Sequence, residues 1–208
     1  MADDMLNNKD IILRIASSKD QDYAKKVAGA IGWRLREQGL CKVRAIKMTA
    51  VNTAVKALAI VNQRIEQANM TMGIDPFFGE VNDGKDEENS TAIVMTIREV
   101  QIDGTKEIIE YKVSGKQEVG TATDSDLATK LAGAIAGAVR QGKTVRMRCI
   151  GPASVYRAIY AATIAKGFIY PNGYESMIIP TWTTMPSIVE GGPLISLLQL
   201  DFIGSKIA

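Results

Sequence analysis

Histidine is missing from all 208 residues. With it go the commonest general base and the commonest nitrogen ligand for metals, so serine triads, cysteine-histidine pairs and histidine-built zinc sites are all excluded. Cysteine occurs twice, at Cys41 and Cys149, each in a stretch that alternates like a strand and places it beside apolar neighbours. Both are expected to be buried core thiols. Proline is scarce at six residues and aromatics make up 6% of the chain, which leaves few base-stacking platforms. The longest nearly uninterrupted apolar run, Leu131 to Val139, has nine residues, whereas a bilayer span needs about 20. No membrane contact is expected. The opening MADDMLNNKD lacks the basic start and apolar core of a secretory leader, and a cytoplasmic protein is the expectation. There is no GxxxxGK[ST] or GxGxxG loop and no recognisable nucleophile, so we expect no enzymatic activity, no cofactor and no metal.

What the chain does have is written twice. KVAGAIGWRLREQG at 26–39 returns as KLAGAIAGAVRQG at 130–142. Sliding the sequence by 104 residues aligns Lys26, Ala28, Gly29, Ala30, Ile31 and Arg36 with Lys130, Ala132, Gly133, Ala134, Ile135 and Arg140. After a compensated one-residue slip the register resumes, pairing Arg44 with Arg148, Val51 with Val155, Ala57 with Ala161, Pro76 with Pro180 and Phe78 with Trp182. A duplication at this period predicts two similar units, residues 1–103 and 104–208.

Read by hydrophobic period, each copy gives the same order. DIILRIAS and EIIEYKVS are first strands. Tyr23 to Glu37 and Ser125 to Arg140 are first helices, the second with Asp124 as N-cap, and they are stopped by Gly39 and Gly142. KVRAI and VRMRCI are second strands. The segments 49–68 and 154–166 are second helices, the latter closed by Gly167. Two strands follow in each copy, Met70 to Phe77 with Ala92 to Val100, and Tyr174 to Pro180 with Leu194 to Phe202. The prediction is a two-layer α/β fold of two tandem βαβαββ domains. Ala28, Gly29, Ala132, Gly133 and Gly137 are read as small residues that let the first helices lie close on their sheets. Asp103-Gly104, between two strand-like runs, reads as a hairpin turn joining the copies.

These residues carry a resemblance. YKVSGK (111–116), LAGAIAGAVRQG (131–142), AVNTAVKALAI (50–60), AKGF (165–168) and PNGY (171–174) resemble the successive motifs of the stage V sporulation protein S family. The resemblance implies an Alba-like βαβαββ domain, similar also to the C-terminal domain of translation initiation factor 3, and with it nucleic-acid binding and regulation of a developmental programme. The copies keep different parts of the pattern: the first has Asn52 and Lys56 where the second has Tyr156 and Tyr160.

Strand alternation nominates a surface. If Leu13 and Ile15 face the helices, Arg14 faces away, as do Lys42 and Arg44 in the first copy and Lys112, Arg146 and Arg148 in the second. Such cations can neutralise phosphates of DNA or RNA, or simply form the solvated face of an open sheet. Lys19 beside Ser17 and Ser18, and Lys116 beside Ser114, extend the candidate set into the loops after the first strands. Net charge favours the second copy: residues 1–103 carry 14 basic against 15 acidic side chains, residues 104–208 carry 11 against 8. The acidic run NDGKDEEN at 82–89 lacks calcium-loop spacing and reads as a solvated loop. Tyr156, Tyr160, Phe168 and Tyr170 suggest a contact between copies or in a homo-oligomer. The competing expectation is therefore an assembly protein, forming a homo-oligomer or filament without nucleic acid.

Overall fold

The computed structural model describes residues 12–18, 20, 22–79, 92–115, 122–187 and 192–207. Its element order is β1 (Leu13–Ile15), α1 (Tyr23–Gln38), β2 (Leu40–Ile46), α2 (Lys47–Ile65), β3 (Met72–Gly79), β4 (Ala92–Glu99), then β5 (Ile108–Val113), α3 (Ala122–Arg140), β6 (Thr144–Cys149), α4 (Pro152–Ile169), β7 (Tyr174–Met185) and β8 (Ile195–Lys206). Short 3-10 turns, Glu66–Ala68 and Tyr170–Asn172, follow α2 and α4. Period-2 and period-3.6 patterning place the helices and strands where expected, with differences at their ends. Helix α3 begins at Ala122, so Asp124 lies inside it rather than capping it. Helix α4 runs through Gly167 to Ile169, because an isolated glycine weakens a helix by only about 1 kcal/mol and the packed apolar face outweighs that. The left-handed stop is supplied instead by Gly173, at φ 75°.

The strands form one mixed eight-stranded sheet in the order β1-β2-β4-β3-β7-β8-β6-β5. The halves mirror each other about a central antiparallel contact, where β3 meets β7 at the single pair Ile74 and Ile178. Two residues beyond that pair stand Pro76 and Pro180, which lack the N–H that a longer ladder would use. Asn62 of α2 fills the gap on one side: its Nδ2 donates to Met72 O at 3.0 Å and to Pro180 O at 3.1 Å, and its Oδ1 accepts from Met72 N–H at 2.9 Å. Lys166 of α4, at the position equivalent to Asn62, forms an ion pair with Asp75 of β3. Each second helix therefore reaches over the strands of the other half.

All four helices cover one face. Ile31 of α1, Leu58 of α2, Ile135 of α3 and Ile159 of α4 belong to one buried cluster with Val43, Ile74, Met147, Ile178 and Phe202 of the strands, so the hydrophobic core is continuous from one half to the other. In β2 the alternation is complete: Cys41, Val43 and Ala45 are buried while Lys42, Arg44 and Ile46 are half-buried on the other face. Burial pushes the two thiols up, Cys41 to about 11 and Cys149 to about 12, as expected of core cysteines.

Asp103-Gly104 joins no hairpin. Strand β4 and strand β5 are separated by β3, β7, β8 and β6. The eight residues between them reach about 26 Å when extended, enough for five strand spacings of about 4.8 Å. Long-range pairing has overridden the local turn signal, and Asp103 instead makes a turn with its own neighbour, its Oδ1 accepting from Thr105 N–H at 3.0 Å. The connection starts across the helix-free face, where Val100 packs on Met177, Ile179 and Ile203.

Candidate nucleic-acid interface

The helix-free face carries the nominated cations, and strand order decides their neighbours. In the second half, β6 lies between β5 and β8, and the register sets Arg146 between Glu110 and Asp201, with Arg148 between Lys112 and Gln199. Arg146 grips Asp201 with two parallel bonds, Nε to Oδ1 and Nη2 to Oδ2, both 2.9 Å. This is the geometry in which a guanidinium and a carboxylate bind most strongly, and it raises the Arg146 pKa above its ordinary value. Arg148 pairs through Nη2 with Glu110 Oε2 at 2.8 Å. The two arginines of the half with the larger positive charge are thus neutralised within the sheet.

The first half is arranged differently. Arg14 of β1 stands opposite Arg44 of β2, Arg44 stands opposite Val94 of β4, and Lys42 stands opposite Thr96. None of these register partners is a carboxylate, although Arg14, Lys42 and Arg44 each make an interaction of their own. Arg14 is exposed, and Lys42 and Arg44 are half-buried. Arg98, further along β4, pairs with Glu175 of β7 at 3.3 Å across the seam. Of the remaining candidates, Lys112 is exposed on β5, and Lys19, Lys116 and the acidic run 82–89 lie outside the described residues.

The loops after the first strands are tied to helices. Ser17 Oγ and Thr49 Oγ1 are hydrogen-bonded, and Ser18 Oγ accepts from Asp20 N–H at 3.1 Å. Ser114 O accepts from Arg157, a guanidinium buried in α4 with 3% of its surface exposed. Arg157 escaped sequence reasoning because it sits in a run that looks like plain amphipathic helix.

The four aromatics expected to act together fall in two places. Tyr156 and Tyr160 stack with centroids 5.9 Å apart, and Tyr160 meets Phe78 of the other half at 5.0 Å. These rings belong to the internal seam. The repeat-related site has Lys56 Nζ 5.9 Å from the centroid of Trp182. One seam contact is therefore aromatic on aromatic and its counterpart is cation on aromatic. Phe168 and Tyr170 lie at the far end of α4, exposed, where Arg140 of α3 donates to Phe168 O at 2.8 Å and to Asn172 Oδ1 at 2.9 Å.

No group of three or more cysteines and carboxylates that could hold a metal occurs among the described residues, and no helix among them is long and apolar enough to cross a membrane.

The family model for stage V sporulation protein S matches residues 12–100 and again residues 118–190. The chain belongs to that family, and the two matched segments correspond to the two copies of the internal repeat.

Proposed function

We propose that the protein is a non-enzymatic, nucleic-acid-binding regulator of the cytoplasm, built from two Alba-like βαβαββ units, residues 1–103 and 104–208, that share one sheet. Family membership suggests a sporulation-related regulatory role. The observation that carries the nucleic-acid reading is the pairing of Arg14 with Arg44 beside Lys42 on the helix-free face. Arg14 and Arg44 share a register position on adjacent strands of one face, from which both can reach one phosphate.

The test is fluorescence anisotropy of labelled single- and double-stranded oligonucleotides between 50 and 200 mM salt. Three phosphate contacts imply a loss of about 40-fold in affinity for duplex over that range. Arg14→Glu with Arg44→Glu should abolish most of this dependence. Binding that ignores salt, or an unaltered double variant, rejects the reading.

A second reading, assembly into a homo-oligomer, rests on β5. This strand closes the sheet with one neighbour only among the described residues and presents Ile108, 46% exposed, next to an open edge of the kind that recruits further strands. A solution molar mass that falls on Ile108→Lys supports assembly; a monomer at all concentrations rejects it.

A further inference from the structure

Helix α1 contains two glycines whose missing side chains the fold does not use. A Cβ built at Gly29 or Gly32 meets nothing within 4 Å, although each glycine weakens the helix by roughly 1 kcal/mol relative to alanine. Both lie along a groove of about 560 Å³ between α1 and α2, lined also by Trp33, Leu35, Val61 and Met70. Trp33 is 57% exposed and Met70 37%, large for apolar side chains with no partner to cover them.

Two cations complete the lining, Arg36 and Arg64. Neither has a hydrogen bond or ion pair among the described residues, and no carboxylate lines the groove. The second half shows what the same position does when it serves the fold. Arg140, the repeat equivalent of Arg36, is occupied in fastening α3 to the turn after α4. Where the first half has Trp33 and Arg64, the second has Gly137 and Phe168. Divergence of the copies has given the first half an apolar trough edged by an indole and by two guanidiniums that have no bond among the described residues.

We propose that this groove docks an acidic amphipathic helix of a partner protein. The trough between two packed helices accepts the side-chain ridge of a third. Its apolar lining takes leucine- or phenylalanine-like anchors over the glycines and against Trp33, and Arg36 and Arg64 select carboxylates on the rim, where guanidiniums bind them in forked geometry. Complementary charge of this kind governs partner choice and association rate. The groove lies in the helix layer, so it is separate from the strand surface carrying Arg14 and Arg44, and one molecule can hold a protein partner and a nucleic acid together.

The test selects from a displayed library of random 16-residue peptides on the full-length protein, then measures recovered peptides by fluorescence anisotropy. Enriched peptides should carry Asp or Glu beside apolar residues at helical spacing. They should bind at least tenfold more weakly to Arg36→Glu with Arg64→Glu, and to Gly32→Leu, which fills the floor. Gly32→Ala, with a melting temperature at or above that of the unaltered protein, controls for folding and should bind nearly as well. Failure to enrich any acidic sequence, equal binding to the variants, or loss of a homodimer or of oligonucleotide binding in the same variants overturns the proposal.

Discussion

Ile74 and Ile178 face each other across the centre of the sheet, and they are the same position of the two repeats, 104 residues apart. An antiparallel contact in which a residue meets its own equivalent is what a twofold axis produces between identical subunits. Here the two partners are one chain, and the mirrored strand order on either side of the pair follows from that. Fusion also freed the two sides of the seam to diverge. Phe78 against Tyr160 and Trp182 against Lys56 are one ancestral contact in two chemistries, and Asn62 and Lys166 bridge the same gap by hydrogen bonds and by an ion pair.

Asn62 should be the most sensitive polar residue of the seam. It is buried at 7% exposure and satisfies the Met72 N–H and two carbonyls at the point where prolines interrupt the strand ladder. Asn62→Ala leaves those groups without partners in a dry setting, at about 1–3 kcal/mol for each group that water does not reach. Urea unfolding should show a loss of at least 2 kcal/mol. A loss below about 0.5 kcal/mol would mean that the amide does not hold the halves together.

Glycines in this chain divide into two classes that substitution separates. A Cβ on Gly204 of β8 would lie 2.3 Å from Val139 Cγ1 of α3, so Gly204→Ala forces helix and sheet apart and should destabilise by about 1–3 kcal/mol. Val139→Ala in the same chain should restore part of that loss. By contrast Gly29 and Gly133 face open space, and alanine at either should raise stability by up to about 1 kcal/mol. Thermal unfolding of the four variants checks both halves of the statement.

That division marks how far the residues could be read before the fold was known. The repeated small-residue run was legible as a helix, and its alanines do the packing: Ala28 is 1% exposed and Ala132 0%. The glycines beside them lie one helical step round, outside the contact, and composition alone does not distinguish the two. Element order was legible because periodicity is local. The joining of the sheets was not, since it rests on one residue pair whose strands are far apart in sequence. Asp103-Gly104 misled because a turn propensity worth a fraction of a kcal/mol is set against the pairing of whole strands. Arg146 and Arg148 were correctly assigned to the helix-free face, but Asp201 and Glu110 became their neighbours only through the order β5-β6-β8.

Alkaline pH should act through the thiols. Their ordinary pKa is 9.0 in the unfolded chain, while burial holds Cys41 near 11 and Cys149 near 12 in the fold. Below pH 9 both states keep both protons and stability does not depend on them. Above it the unfolded chain releases protons that the folded chain retains, so stability falls as pH rises, by at most about 1.4 kcal/mol per thiol per pH unit. Urea unfolding at pH 8 and pH 10 should show the unaltered protein losing about 1–3 kcal/mol more than a Cys41→Ala, Cys149→Ala variant. Parallel losses in the two proteins would place the alkaline sensitivity elsewhere.

Asp201 offers a way to test whether the strand face of the second half meets phosphate. Its carboxylate holds both ends of the Arg146 fork, and at 19% exposure it is shielded enough for the pair to outlast moderate salt. Asp201→Asn keeps the shape and removes the charge. Arg146 then retains only Glu110 as an acidic neighbour in register, and Glu110 already serves Arg148. The fold should weaken by about 1–3 kcal/mol, because a charge-assisted bond has been removed from a half-buried guanidinium. If the cations of the strand face meet phosphate, releasing Arg146 should raise binding at 50 mM salt several-fold and steepen the salt dependence by about one phosphate contact. Weaker or unchanged binding by a folded Asp201→Asn protein would show that the strand face is not where phosphate is met.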